Sequence, residues 1–215
     1  MKNEQGLTLV ELMIVLLLSM LLMAAVYMTY QLQHSSGKVQ FHVAAAQQDL
    51  RAVMEIISTD IQHAGLDPLP TLNIQGIDAN DCGQNSLRMR MDLNGNGQTN
   101  TVDEDISYRL DNNGNLLRVD NSPGVGITRV LANNVIALNF TYKDRQTDGT
   151  RNKITPTGPA SAFDANTLTS AQADAVRFVE VMIRMQTDKA DPQTNQRIER
   201  GLTRTVCRRN GIPLD

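Results

Sequence analysis

The sequence contains no tryptophan and only four phenylalanines and four tyrosines. Its core must therefore be assembled from Val, Ile, Leu and Met, and the globular part is expected to be modest in core and rich in polar loops. Cysteine is almost as scarce. Cys82 and Cys207 stand far apart and belong to no CxxC or Cys/His cluster, which excludes the common zinc frameworks. In an oxidising compartment the two could close one long loop, worth about 3–5 kcal/mol if unstrained; otherwise they are two free thiols.

An excess of positive charge is missing as well: 20 Lys and Arg face 23 Asp and Glu, a formal net charge of -3. Nucleic acid is thus not indicated as a partner. The chain has no G-x-S-x-G, no Walker loop and no HExxH. His34, His42 and His63 fall along one helical stretch, where their spacing suits solvated side chains better than catalysis. No reaction is assigned to the chain's own residues.

What the chain does have is one long apolar run. Between residues 7 and 30 a single charged residue, Glu11, interrupts it. At about 1.5 Å per residue, a helix over this run matches the hydrocarbon core of a bilayer, about 30 Å. The run is too long for the apolar core of a secretory signal peptide, which has roughly 7–15 residues. It reads as a membrane-spanning helix, with Lys2 favouring a cytoplasmic N-terminus. A carboxylate inside such a helix is costly and demands a role.

Beyond it lies the polar stretch 31–38, where Ser35-Ser36-Gly37 could loosen a helix without ending it. Val39, Val43, Ala46, Leu50, Val53, Ile57 and Ile61 then recur at three- and four-residue steps, which predicts an amphipathic helix reaching residue 65. Gly65 reads as its left-handed cap and Pro68 as the barrier after it. Residues 66–79 read as loop. Alternation predicts strands over 87–93 and 106–110, and the Asp111-Asn112-Asn113-Gly114-Asn115 turn predicts a hairpin into 116–119. Further strands are expected over 135–142, 176–186 and 202–207, with a long surface loop over 143–174 and a hairpin tip over 193–200. The fold class is α+β: a long N-terminal helix, apolar all round in its first half and amphipathic in its second, packed on an antiparallel β-sheet head.

One loop carries metal-ligand spacing. Asp92, Asn94, Asn96, Gln98 (through its carbonyl) and Asp103 follow the D-x-N-x-N-G pattern of an EF-hand-type calcium (Ca2+) loop, with Gly97 at the bend and Glu104 or Asp105 as substitute acids. Two of the three leading ligands are neutral, and no helical flanks are evident. The same residues equally suit a plain Asn/Gly turn between strands. Calcium there would stiffen a loop.

The residues Gly6-Leu7-Thr8-Leu9-Val10-Glu11-Leu12-Met13, behind a short charged leader and ahead of an apolar helix, resemble the processing site of type IV pilins and type II secretion pseudopilins. The resemblance implies that prepilin peptidase, a membrane aspartyl peptidase, cuts between Gly6 and Leu7 and methylates the new amine of Leu7. Glu11 would then be the fifth residue of the mature chain. Leu7 stands where the family usually has Phe. In a filament of packed apolar helices, Glu11 would find its cation in the terminal ammonium of a neighbouring Leu7.

The head phrases Asp60-Ile61-Gln62-His63-Ala64-Gly65, Leu131-Ala132-Asn133-Asn134-Val135 and Val176-Arg177-Phe178-Val179-Glu180-Val181 resemble PilW-type minor pilins and J-type pseudopilins. On this resemblance the chain divides into a leader (1–6), a filament-core helix (7–30), an amphipathic helix (31–65) and a periplasmic head (66–215). The resemblance implies a minor pilin, held in the inner membrane and then in the pilus, which primes assembly at or near the tip. Its partners would be other minor and major pilins and the inner-membrane assembly platform, with no cofactor required. A J-type pseudopilin and a membrane-anchored periplasmic enzyme or sensor are the competing readings.

Overall fold

The structure, a computed structural model, describes residues 8–69, 74–144, 150–192 and 194–210. Helix α1 (Leu9–His63) runs for 55 residues, about 80 Å at the helical rise. It passes unbroken through Ser35, Ser36 and Gly37, and the Ser35 hydroxyl donates to the Leu32 carbonyl at 2.9 Å. It stops where the sequence punctuates it. Ala64 is the C-cap and Gly65 follows at φ +77°, a conformation that costs a glycine nothing. Space at Gly65 is also closed, since a Cβ there would meet the Asn210 carbonyl oxygen at 2.9 Å.

After α1 come β1 (Leu87–Arg90), β2 (Asp105–Leu110), β3 (Leu116–Asp120), β4 (Thr128–Ala132), β5 (Val135–Lys143), β6 (Lys153–Ile154), the short α2 (Ser170–Ala175), β7 (Phe178–Gln186) and β8 (Glu199–Cys207). These strands form two four-stranded antiparallel sheets, ordered β1-β2-β3-β4 and β6-β5-β7-β8, where the sequence suggests one. The chain changes sheets at Asn133-Asn134. Asn134 takes φ +59°, and the next amide, of Val135, donates to the Gly114 carbonyl at 2.8 Å.

Sequence alternation misses β4, because three of its five residues are exposed and no period-2 burial marks them. The expected loop 143–174 contains β6 and α2. Thr169 caps α2 in a T-x-x-Q box: the Gln172 amide donates to its hydroxyl at 3.3 Å, and the Thr169 amide donates to the Gln172 side chain at 3.0 Å. Val176 closes α2, so β7 starts two residues later than the alternation implies. β1 ends at Arg90: the Met91 amide still donates to the Glu104 carbonyl at 2.9 Å, but the Asp92 amide turns to the Leu66 carbonyl at 2.8 Å and opens a loop. The β2–β3 hairpin is as expected, with Gly114 at φ +75° and Asp111 Oδ1 accepting from the amides of Asn113 and Asn115 at 2.8 Å each.

The second half of α1 lays Ala46, Leu50, Val53, Met54, Ile57 and Ile61 on β7 and β8, with β4 alongside. Ile57 and Ile61 are wholly enclosed, each contributing roughly 1.5–3 kcal/mol of apolar burial. Val39 and Val43, on the same stripe, are only half-buried, so the head grips the helix from about Ala46 onward.

A polar lock fixes the last turn to the other sheet. Asp60 of α1 accepts from the Tyr108 hydroxyl of β2 and, at 2.9 Å, from Arg118 Nε of β3. Arg118 also donates to Asp103, which takes a further bond of 3.1 Å from Arg129 of β4. Burial pushes Asp103 toward the neutral acid, but the bond and charge of Arg118, helped by Arg129, hold it below the ordinary aspartate value.

A carboxylate depressed in the fold contributes stability above its ordinary pKa and loses it as the pH falls through the depressed value. Thermal melts of the wild type should therefore fall off in acid, starting at the ordinary aspartate range. Asp103→Asn should be less stable at neutral pH and show a shallower acid limb; identical limbs would remove Asp103 from the lock.

Candidate functional site

Two parts of the chain carry sequence-level signals, the N-terminal helix and the 92–104 loop. Gly6 and Leu7, the expected cut, lie outside the described residues. From Leu9 to Tyr30 every large apolar side chain is 53–77% exposed, and one 18-residue window there has a mean hydropathy of 2.7 with none of it buried. A side chain so exposed forgoes most of its transfer free energy in water, so this segment needs lipid or other apolar helices around it. α1 is long and apolar enough to cross a membrane.

Glu11 is not unpartnered within its own chain. Thr8 is the N-cap, and the two form a capping box: the Glu11 amide donates to the Thr8 hydroxyl at 3.3 Å, and Glu11 Oε2 accepts from the Thr8 amide at 2.9 Å and from its hydroxyl at 3.0 Å. Thr8 and Glu11 spell T-x-x-E, a helix-start signal independent of the processing motif they also belong to. The arrangement satisfies two of the first-turn amide donors of α1, those of Thr8 and Glu11.

The 92–104 loop is held by two fully enclosed carboxylates. Asp92 Oδ1 accepts from the amides of Gly95 at 2.7 Å and Asn96 at 3.3 Å, and its Oδ2 accepts from Gly97 at 2.8 Å. Glu104 Oε1 accepts from Leu93 at 3.1 Å and Asn94 at 3.4 Å, while its Oε2 accepts from Thr101 at 2.9 Å. Asn94 Oδ1 accepts from the Asn96 amide, and Asn96 Oδ1 from the Gln98 amide, both at 2.8 Å. Gly95 and Gly97 supply the left-handed turns, at φ +72° and +74°.

The expected calcium shell is altered at its closing end. Asp103 turns out of the loop to Arg118 and Arg129, because its backbone stands at φ +67° with its amide bonded to Asp120 Oδ2 at 2.8 Å. Asp105, the second substitute, forks onto Arg88 at 2.8 Å through each oxygen. Only Glu104 closes the loop, one residue beyond the pattern's last ligand. Among the described residues no three His, Cys, Asp or Glu side chains converge as a metal shell.

The cysteines are not bridged. Cys82 is enclosed, with Sγ accepting from the Arg88 amide at 3.0 Å and donating to the Arg88 carbonyl at 3.1 Å, whereas Cys207 is exposed at the end of β8. Burial pushes the Cys82 thiol up to about 12, which denies it the thiolate needed for exchange.

Replacing one of the two loop carboxylates by its amide turns one acceptor oxygen into a donor facing a loop amide, that of buried Gly97 among them, at a cost of about 1–3 kcal/mol. Glu104→Gln and Asp92→Asn should each lower the melting temperature of the chain, while EDTA should leave the wild type unchanged. A fall in the wild-type melt under EDTA, reversed by added calcium, would show instead that a cation completes the loop.

Two comparisons bear on this architecture. Residues 1–27 match the prokaryotic N-terminal methylation motif. Residues 40–206, which take in most of the striped half of α1 and both sheets, match the family of prepilin peptidase-dependent protein B. No curated protein matches the chain. A methylation motif over an exposed apolar helix, and a family match across the head that grips the same helix, cover well over half of the sequence, and the chain belongs to the prepilin peptidase-dependent protein B family of pilin-like proteins.

Proposed function

We propose that this chain is a minor pilin that primes assembly of a type IV pilus and lies at or near its tip. The observation that carries the reading is α1 itself: its first half has no partner among the described residues, and its second half is fastened to a head by both a core and a polar lock. Before assembly the chain waits in the inner membrane, N-terminus in the cytoplasm and head in the periplasm. Prepilin peptidase cuts between Gly6 and Leu7 and methylates Leu7. The apolar half of α1 then leaves lipid for other pilin helices, delivered by the inner-membrane assembly platform.

On this reading Glu11 changes partner. In the isolated chain Thr8 occupies its carboxylate. Among packed apolar helices the methylated terminal ammonium of an adjacent subunit is a stronger partner, because a full charge pair in a dry setting outweighs a neutral hydroxyl and amide. The role is mechanical, in register and docking.

Mass spectrometry of the mature N-terminus should find N-methylated Leu7, and replacement of Gly6 should leave the leader in place and exclude the chain from sheared pili. Glu11→Ala should still be cut yet enter pili poorly. An uncut wild type would overturn the reading in favour of a simple membrane-anchored enzyme or sensor. Normal pili with failed protein secretion in the Gly6 variant would instead identify a type II secretion pseudopilin.

A further inference from the structure

Among the described residues of the head, Arg118 and Arg208 are buried, and they are treated in opposite ways. Arg118, 9% exposed, is held by Asp60 and Asp103. Arg208 is 7% exposed, and its Nε has no hydrogen-bond partner among the described residues. Other arginines of the head, Arg88, Arg90, Arg129 and Arg204, each face a carboxylate, of Asp105, Asp78, Asp103 and Glu55 respectively. A guanidinium removed from water without a counter-charge is among the costlier features a fold can keep.

The surroundings of Arg208 add positive charge. Its amide donates to the Arg177 carbonyl at 2.9 Å, continuing the β7–β8 pairing by one step, so the two arginines stand side by side. Burial and then the repulsion of Arg177 pull Arg208 down to about 10, only partly offset by Asp174. Asp174 is near enough to be felt, but its carboxylate accepts from Gln75 Nε2 at 2.9 Å. The α1 carbonyl at this corner, of Gln62, is taken by the Arg209 amide at 3.4 Å and by Asn210 Nδ2 at 3.3 Å.

We propose that Arg208, with Arg177 beside it, is a binding site for a small oxyanion of the carboxylate or phosphate class, at the corner where the end of β8 meets the turn from α2 into β7. The guanidinium fork matches the paired oxygens of such an anion, and a buried Nε–H is the donor that would otherwise stay unsatisfied. An anion there would tie β8 to the α2–β7 turn beside the last turn of α1, so its binding would read out as stability of the head.

The test uses the full chain in detergent, melted with inorganic phosphate or acetate against chloride at matched ionic strength. The wild type should gain stability saturably with phosphate or acetate. Arg208→Met should lose that response and be no less stable than the wild type in chloride, since an unpaired buried cation has been replaced by an apolar chain of similar length. Arg177→Gln should shift the half-saturating phosphate concentration about tenfold upward, the worth of one charge-assisted contact. Should Arg208→Met fail to fold, the Arg208 Nε–H resonance of the wild type still decides, because it should move saturably with phosphate. Absence of any anion response, or an equal response in wild type and Arg208→Met, would overturn the site.

Discussion

One helix has to satisfy two environments, and the rest of the structure follows from that. α1 presents apolar side chains in every direction over its first half and a single stripe over its second. A helix apolar all round cannot be folded into a small head without exposing something else, so it is left outside for lipid or for other helices. The head in turn must hold the second half firmly enough that whatever acts on the first half also moves the head. Apolar packing against β7 and β8 supplies the hold on one sheet, and the Asp60–Arg118–Tyr108 lock supplies it on the other.

The head achieves this with few large side chains and without a disulfide. Its loops are instead gathered around buried carboxylates that accept backbone amides. Asp92 and Glu104 close the 92–104 loop. Asp120 accepts from the amides of Asp103 and Ser122 at 2.8 and 3.0 Å. Asp164 draws the 155–168 segment onto the turn before β1 by accepting from the Asn85 amide at 2.7 Å and the Ser86 hydroxyl at 2.5 Å. A charged acceptor bonded to several donors is roughly twice as strong per bond as a neutral one, which lets short polar loops keep one conformation. The same preference explains why a calcium-like spelling and a carboxylate-centred turn look alike: both need an acid at the head of an Asn/Gly run and glycine at the bends.

Much of the architecture was legible in the chain. The length of α1, its stripe, its stop at Gly65 and the β2–β3 hairpin follow from 3.6-residue spacing and from residues that tolerate left-handed backbone. Strand β4 and the elements inside 143–174 were not, because exposed or very short segments leave no period to read. At the candidate sites the residue types were legible and their partners were not. Asp103 and Glu104 are adjacent acids of similar chemistry, and only the backbone turn at Asp103 sends one to the arginines and the other into the loop.

The sequence by itself determined that the N-terminal helix is long and apolar enough to cross a membrane, because composition and local order alone dictate helix, length and polarity, and a methylation motif covers its start. Tertiary structure decided the rest: two sheets in place of one, two separated thiols where the sequence left a bridge and free thiols both open, and a buried arginine, Arg208, whose Nε has no hydrogen-bond partner among the described residues. Those outcomes depend on which distant residues meet, and charge pairing across tens of positions leaves no periodic trace in a single chain.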